Sequence, residues 1–219
     1  MLVVALLLGA AACTSSPAHR ATSSPAQSSP ATTSAPSGVS YADYCGNTSP
    51  ECPTGGVPAN LHRPLHPPLI KAGQCPVTQP VRRVSVDFGA AQGPGPIYPS
   101  VVDAHGVLTF IWPPPPGSVA PPGWSGQKVL WIGAPTYTGP VLIRGIRLDG
   151  DSPVAFQAGG GNPALSELQF PPSPPTNVSA TGWRNWPSAT LLKAPGCYAW
   201  QIDGTTFSIA LVFKAMISH

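Results

Sequence analysis

The chain has 219 residues, a formal net charge of +3, and only 9% charged residues, against about 25% in an average domain. Arg82 and Arg83 are adjacent, and Arg144 and Arg147 are an odd number apart. In strands each pair points to opposite faces, so no basic stripe forms and nucleic acid is excluded as a partner. The 31 prolines and 23 glycines exclude long helices.

In chain order, the first element is the apolar run 2–12, LVVALLLGAAA. A membrane-spanning helix needs ~20 apolar residues, so the run is too short to cross. Its length suits the apolar region of a secretory signal, and its small residues suit a cleavage site. Ala10-Ala11-Ala12-Cys13 resembles the bacterial lipoprotein signal, in which a Leu-like residue and two small residues precede the cysteine that becomes the lipidated N-terminus. Here Ala10 stands in the Leu position, and no Lys or Arg precedes the run. The resemblance implies a signal peptide over 1–12 and lipidation of Cys13. It also implies a chain held at the cell membrane, on the extracytoplasmic side, by its acyl chains. Each buried acyl CH2 contributes about 0.8 kcal/mol, so several chains hold where one barely would. Ordinary cleavage nearby and a retained anchor are the alternatives.

Residues 13–40 are the lipidated cysteine and a tether of Ser, Thr, Pro and Ala with almost no charge. Such a segment buries too little apolar surface to fold, and its Ser-Pro and Ala-Pro steps favour extended polyproline II. Residues 41–64 read as an irregular, disulfide-pinned lead-in. Besides Cys13, the cysteines are Cys45, Cys52, Cys75 and Cys197. An even set in an exported chain reads as two disulfides with three possible pairings. We expect Cys45–Cys52, closing CGNTSPEC, and Cys75–Cys197, stapling the start of the folded domain to its end. There is no C-x-x-C pair and no Cys/His cluster at zinc spacing, so no metal is expected. No cofactor signature is present.

The strands follow from alternation and turn signals. VRRVSVDFG (81–89) alternates, with Val84, Val86 and Phe88 on one side. GVLTFIW (106–112) stops at four prolines. GQKVLWIGA (126–134) is apolar on both faces and reads as central. GPVLIRGIRLDG (139–150), PVAFQA (153–158), LSELQF (165–170) and SATLLKA (188–194) follow. The last pair is GCYAWQIDGTTFSIALVFKA, with Asp203-Gly204 as a two-residue hairpin signal. That turn pairs Trp200 with Phe207 and Tyr198 with Ile209 on one face, and puts Cys197 on the other. The Cys197 disulfide would then fasten an outer strap to the sheet. Seven or more short strands at this spacing indicate a sandwich or barrel. The final hairpin resembles the last two strands of bacterial immunoglobulin-like domains. The expected fold is therefore all-β, an immunoglobulin-like antiparallel β-sandwich over 65–217.

No catalytic residue stands out. In GWSGQ, Gln127 occupies the place of the second glycine of a nucleophile elbow. GPGP (93–96) is a proline turn, not a phosphate loop. Asp149, Asp151 and Asp203 sit beside glycines, where Asp is ordinary turn chemistry. His62 and His66 have i, i+4 spacing, but Pro64, Pro67 and Pro68 break any helix there. The remaining candidates are Trp124, Trp183 and Trp186, read as lying in loops, with Arg184 and Asn185 between the last two. Their faces can stack on sugars or peptides, or fold back to plug the ends of the sandwich. The expectation is a non-catalytic protein that binds an envelope protein or glycan through loops such as 112–125 and 182–188. An envelope enzyme that uses Asp87, Asp103, Asp149 or the histidines, and a small-ligand binder that uses the tryptophans, are the alternatives.

Overall fold

The computed structural model describes residues 57–81, 83–158, 163–170, 172 and 178–218. Cys13, the tether, Cys45 and Cys52 lie outside them. Eleven strands are present among the described residues: β1 (Pro80–Val81), β2 (Ala91–Gln92), β3 (Ile97–Ser100), β4 (Val107–Phe110), β5 (Ser125–Gly133), β6 (Val141–Arg147), β7 (Ala155–Gln157), β8 (Glu167–Phe170), β9 (Arg184–Leu192), β10 (Gly196–Gly204) and β11 (Ser208–Ile217). The only helical element among these residues is a single 3-10 turn, Ala59–Leu61. Three sheets form: a five-stranded one, β4-β11-β10-β6-β8, a four-stranded one, β3-β5-β9-β7, and the small β1-β2 pair. The fold is all-β, as expected, but the large sheet is mixed rather than purely antiparallel, because β11 runs parallel to β4.

Alternation on the inner faces builds one shared core. The five-stranded sheet contributes Val141, Ile143, Tyr198, Trp200, Ile202, Leu211 and Phe213, and the four-stranded sheet contributes Ile97, Val129, Trp131, Phe156 and Leu192. Trp131 and Trp200 meet between the sheets edge to face, with ring centroids 5.5 Å apart. Burying a large apolar side chain contributes about 1.5–3 kcal/mol, and an aromatic pair adds ~1 kcal/mol. A buried indole N–H needs an acceptor. Strand β9 supplies both: Trp131 Nε1 donates to Ser188 Oγ at 2.9 Å and Trp200 Nε1 to Thr190 Oγ1 at 3.2 Å. These hydroxyls are two residues apart on one strand face, so a single S-A-T step serves both tryptophans.

The outer face of the five-stranded sheet is covered by a strap, residues 57–79. Its five prolines prevent a regular ladder, so long polar side chains standing out of the sheet hold it instead. Gln169 Oε1 accepts from Val57 N at 2.9 Å, Arg144 Nη2 donates to Arg63 O at 2.6 Å, and Gln201 both donates to Pro64 O and accepts from His66 N. Beyond the end of its pairing with β4, β11 meets Thr78, whose N–H donates to Val212 O and whose hydroxyl accepts from Val212 N, both at 2.9 Å. Cys75 is bonded to Cys197, where Ile70 packs with Ala199 and Val212. The disulfide thus fastens the strap to the sheet face opposite Tyr198 and Trp200, as the alternation predicted.

Four details differ from the sequence reading. The 81–89 strand ends at Val81. Arg83 donates to Ser85 O and Val86 O, and the Ser85 hydroxyl accepts from the Asp87 and Phe88 N–H groups, so local side-chain bonds displace the ladder. β3 contains Pro99 and was not expected; it is an edge strand, where a missing N–H is tolerated. β9 starts at Arg184, four residues before the expected strand. The final hairpin is shifted by four residues: Trp200 faces Leu211 and Tyr198 faces Phe213. An even shift preserves which side chains face inward, so the core assignment holds although the turn does not. The turn moves because Asp203 is fully buried within β10 and is used as an ion-pair acceptor.

Candidate binding site

The residues singled out by sequence are dispersed, and each is engaged within the fold. Trp124 is buried with Ala155, Ala164 and Leu191, and Lys193 Nζ lies 4.4 Å from its ring centroid. Trp183 is half-buried and contacts the rings of Phe88 and Tyr98 at 6.4 and 6.2 Å. Arg184, Asn185 and Trp186 lie in β9, not in a loop. The β9 ladder with β5 extends to Gly133↔Arg184, and this carries the strand through the segment read as a loop. Trp186 stacks on Phe170 of the other sheet at 4.8 Å. Arg184 is 5% exposed, packs over Trp186 and donates to Tyr137 O. Burial pushes its guanidinium below the usual value, with the neighbouring Tyr137 opposing. Trp186 thus bridges the two sheets, whereas Trp124 covers Ala155 and Leu191 on the outer face of the four-stranded sheet.

The acidic groups are also engaged in structural roles. Asp203 accepts from Arg144 Nη2 at 2.8 Å, Gln201 Nε2 at 3.0 Å and Arg63 Nη1 at 3.4 Å. Burial pushes its carboxyl up. The bonds from Ser208, Gln201 and Arg144, with the Arg144 charge, outweigh that and hold it below the usual carboxylate value. Burial likewise raises Asp149, while Arg147 and the Cys197 N–H lower it further. Asp103 accepts from the His105 and Val107 N–H groups and orders that turn. Asp87 accepts from the Thr181 hydroxyl. Glu167 takes His62 Nε2 at 3.0 Å and Gln169 Nε2 at 2.6 Å. His62 and His66 both belong to the strap. Among the described residues, no group of three or more His, Cys, Asp or Glu side chains is placed to hold a metal ion.

A concavity lies on the outer face of the four-stranded sheet. It is a cleft of about 770 Å³, within the range of about 300–1,000 Å³ of small-molecule sites. Its floor follows from the cross-strand register. Lys128, Ala189 and Gln157 form one row across β5, β9 and β7, and in the next row Gly126 and Leu191 line the cleft while Ala155 is covered by Trp124. Gly126 and Ala189 at outward positions leave the floor low. Gly126 also permits a close strand approach, since a Cβ there would collide with the Thr190 carbonyl oxygen.

One wall of the cleft is the loop 111–124, which contributes Ile111, Pro115, Val119 and Ala120. Gln157 Nε2 ties this loop down by donating to Val119 O at 2.9 Å, and the Ser125 hydroxyl donates to Ile111 O. Ile111 and Val119 remain 53% and 73% exposed at the rim. The buried polar groups of the lining are engaged within the protein: Gln157 and Ser125 in these bonds, and Ser188 in accepting from Trp131. Lys128, which is exposed, is the one ionisable side chain among the described lining residues.

The sequence named the 112–125 loop but not Lys128, Gln157 or Ala189. Small residues at outward strand positions were the available signal, and they could be read only once the strands were paired. No protein-family model matches the chain, and no curated protein or solved structure matches it either.

Proposed function

We propose that this chain is a lipid-anchored cell-envelope protein whose folded part is an immunoglobulin-like β-sandwich acting as a non-catalytic binding module. Strand order supports the immunoglobulin-like assignment. The sheet β3-β5-β9-β7 has the order of strands A-B-E-D, and β6-β10-β11 that of C-F-G. The Tyr198 hydroxyl donates to Ala194 O at 2.7 Å, four residues upstream at the start of β10, which corresponds to the tyrosine corner of such domains. The Trp131–Trp200 pair joins β5 to β10, where antibody domains place the B–F disulfide. One departure is that β8, beside β6, follows β7 in the chain instead of preceding it.

The observation that carries the binding role is the open cleft under the 111–124 loop. The carboxylates described above support it, because each is engaged in holding the fold. The lipid anchor rests on Ala10-Ala11-Ala12-Cys13 and the tether composition. The test uses full-length protein expressed in a bacterial host. Intact mass of the membrane-fraction protein should correspond to a chain beginning at diacylglyceryl-modified Cys13. The immobilised protein should retain a component of an envelope extract that an Ala189→Phe variant does not. An unmodified chain would overturn the anchor. Equal retention by the variant, or turnover of an envelope substrate that a single substitution abolishes, would overturn the binding role.

A further inference from the structure

We infer that the cleft on the four-stranded sheet takes a single-chain amphiphile, an aliphatic tail lying along the floor with an anionic head at Lys128. This inference rests on the binding role proposed above and names its ligand class. Three observations select that class over the alternatives.

The first is the state of the polar groups. A glycan presents hydroxyls that each need a partner, and desolvating them without one is unfavourable. The buried polar side chains of the lining are already committed: Ser125 to Ile111 O, Gln157 to Val119 O, and Ser188 to the Trp131 N–H. The surface left over is largely apolar, with Ile111, Val119, Ala120 and Ala158 among its contributors, beside the exposed polar Thr109, Ser118 and Gln127. The second is the backbone. An extended peptide binds by adding a strand to a sheet edge. β9 lies between β5 and β7, whereas β3 pairs with β5 only over Leu130–Gly133, so Ser125–Val129 leave a short sheet edge. At β7, the Phe156 N–H and C=O are taken up by Leu165, both at 2.8 Å. A peptide would find only that short edge, beside the floor and not across it, whereas an aliphatic chain needs no ladder and lies on the floor itself.

The third is charge and size. Lys128 is the one ionisable side chain among the described lining residues, so the site offers a cation with no competing carboxylate. It stands two strands from Gln157 in the row Lys128–Ala189–Gln157, roughly 10 Å at ordinary strand spacing. The low Ala189 lies between them. At roughly 30 Å³ per water-sized group, the cleft holds on the order of 25 non-hydrogen atoms, enough for a medium-length acyl chain with its head.

The test is isothermal titration calorimetry on the full mature chain with dodecanoate, dodecanol and dodecyltrimethylammonium, each below its micellar concentration. Saturable one-to-one binding of dodecanoate is expected, with dodecanol weaker and the cationic amphiphile weakest. Lys128→Gln, at an exposed position, should weaken dodecanoate roughly 5-fold and leave dodecanol unchanged. Ala189→Phe should abolish binding of all three while keeping the wild-type circular dichroism spectrum. Absence of saturable dodecanoate binding to the folded wild type would overturn the inference. So would equal affinity for the anionic and cationic probes, or undiminished binding by Ala189→Phe. If Ala189→Phe fails to fold, the Lys128→Gln comparison decides alone. Failure here with Ala189-dependent retention of an envelope component would reject the amphiphile and leave the binding role standing. Failure of both rejects the cleft as a site.

Discussion

The two outer faces of this sandwich carry similar covering material and end in opposite states. The strap 57–79 and the loop 111–124 are both proline-rich, and neither can pair as a regular strand. Over the five-stranded sheet, the covering segment meets Glu167, Gln169, Arg144, Gln201 and Asp203, whose long or charged side chains reach its backbone and side chains. Over the four-stranded sheet the loop seals Ala155 with Trp124, but at Gly126 and Ala189 a cleft remains. The outward residues of a strand therefore decide whether a proline-rich neighbour seals a face or leaves it open. β10 reflects this in its burial, since every residue from Cys197 to Gly204 is buried on both faces.

The largest effect expected on this contrast comes from the disulfide. Cys75 and Cys197 are 122 residues apart, and closing a loop of that size contributes about 5 kcal/mol in the chain-entropy model, with 2–4 kcal/mol typical of measurement. The double substitution Cys75→Ala/Cys197→Ala should lower unfolding free energy in urea by about 4 kcal/mol and speed hydrogen exchange in the strap before the core. Unchanged strap protection would show that the polar contacts suffice alone.

Asp203→Ala comes next. Arg144 would be left 16% exposed without its counter-charge. Breaking a buried pair costs about 3–5 kcal/mol, and with Arg63 30% exposed we expect about 3 kcal/mol. The pH dependence has a definite sign. The folded pKa of Asp203 is depressed, so its contribution is fully present above the unfolded value of about 3.9 and is lost as pH falls through the lower folded value. Stability should therefore drop in acid below about pH 4. Asp203→Asn should flatten that slope, while Asp103 and Asp149, also depressed, keep part of it.

On the open face the expected effects are smaller. Gln157→Ala removes the tie to Val119 O and should cost about 1 kcal/mol, with faster amide exchange at Val119 and Ala120. Lys128→Gln, at an exposed position, should change stability by less than about 0.5 kcal/mol. A loss as large as that of Asp203→Ala at either site would mean that the cleft face bears on stability as much as the strapped face does.

What could be read from the sequence divides along the same line. Strands with strict alternation, such as 198–202 and 209–213, were legible because period two reports which side chains face inward, whatever the turn. The disulfide face of Cys197 followed from the same parity. Asp203 was misread because Asp-Gly is a strong local turn signal, and only the distant Arg63 and Arg144 make it a strand residue. Residues 81–89 show the converse: their alternation is genuine, but Ser85 and Arg83 satisfy the backbone locally. The cleft was illegible because its floor draws Gly126, Lys128, Gln157, Ala189 and Leu191 from three strands. Trp186 read as a loop residue because Pro187 follows it, although that proline is accommodated opposite Leu130 within the ladder.

The Cys75–Cys197 bond also fixes how this domain bears mechanical load. A pull entering at residue 57 and resisted at residue 218 first loads the strap contacts to Gln169, Asp203 and Gln201, one after another. At Cys75 the tension passes through the covalent link directly into β10. Everything between the two cysteines is bypassed, including all of the four-stranded sheet. Stretching can then peel only the two ends of the chain, and the strands that floor the cleft stay out of the line of force.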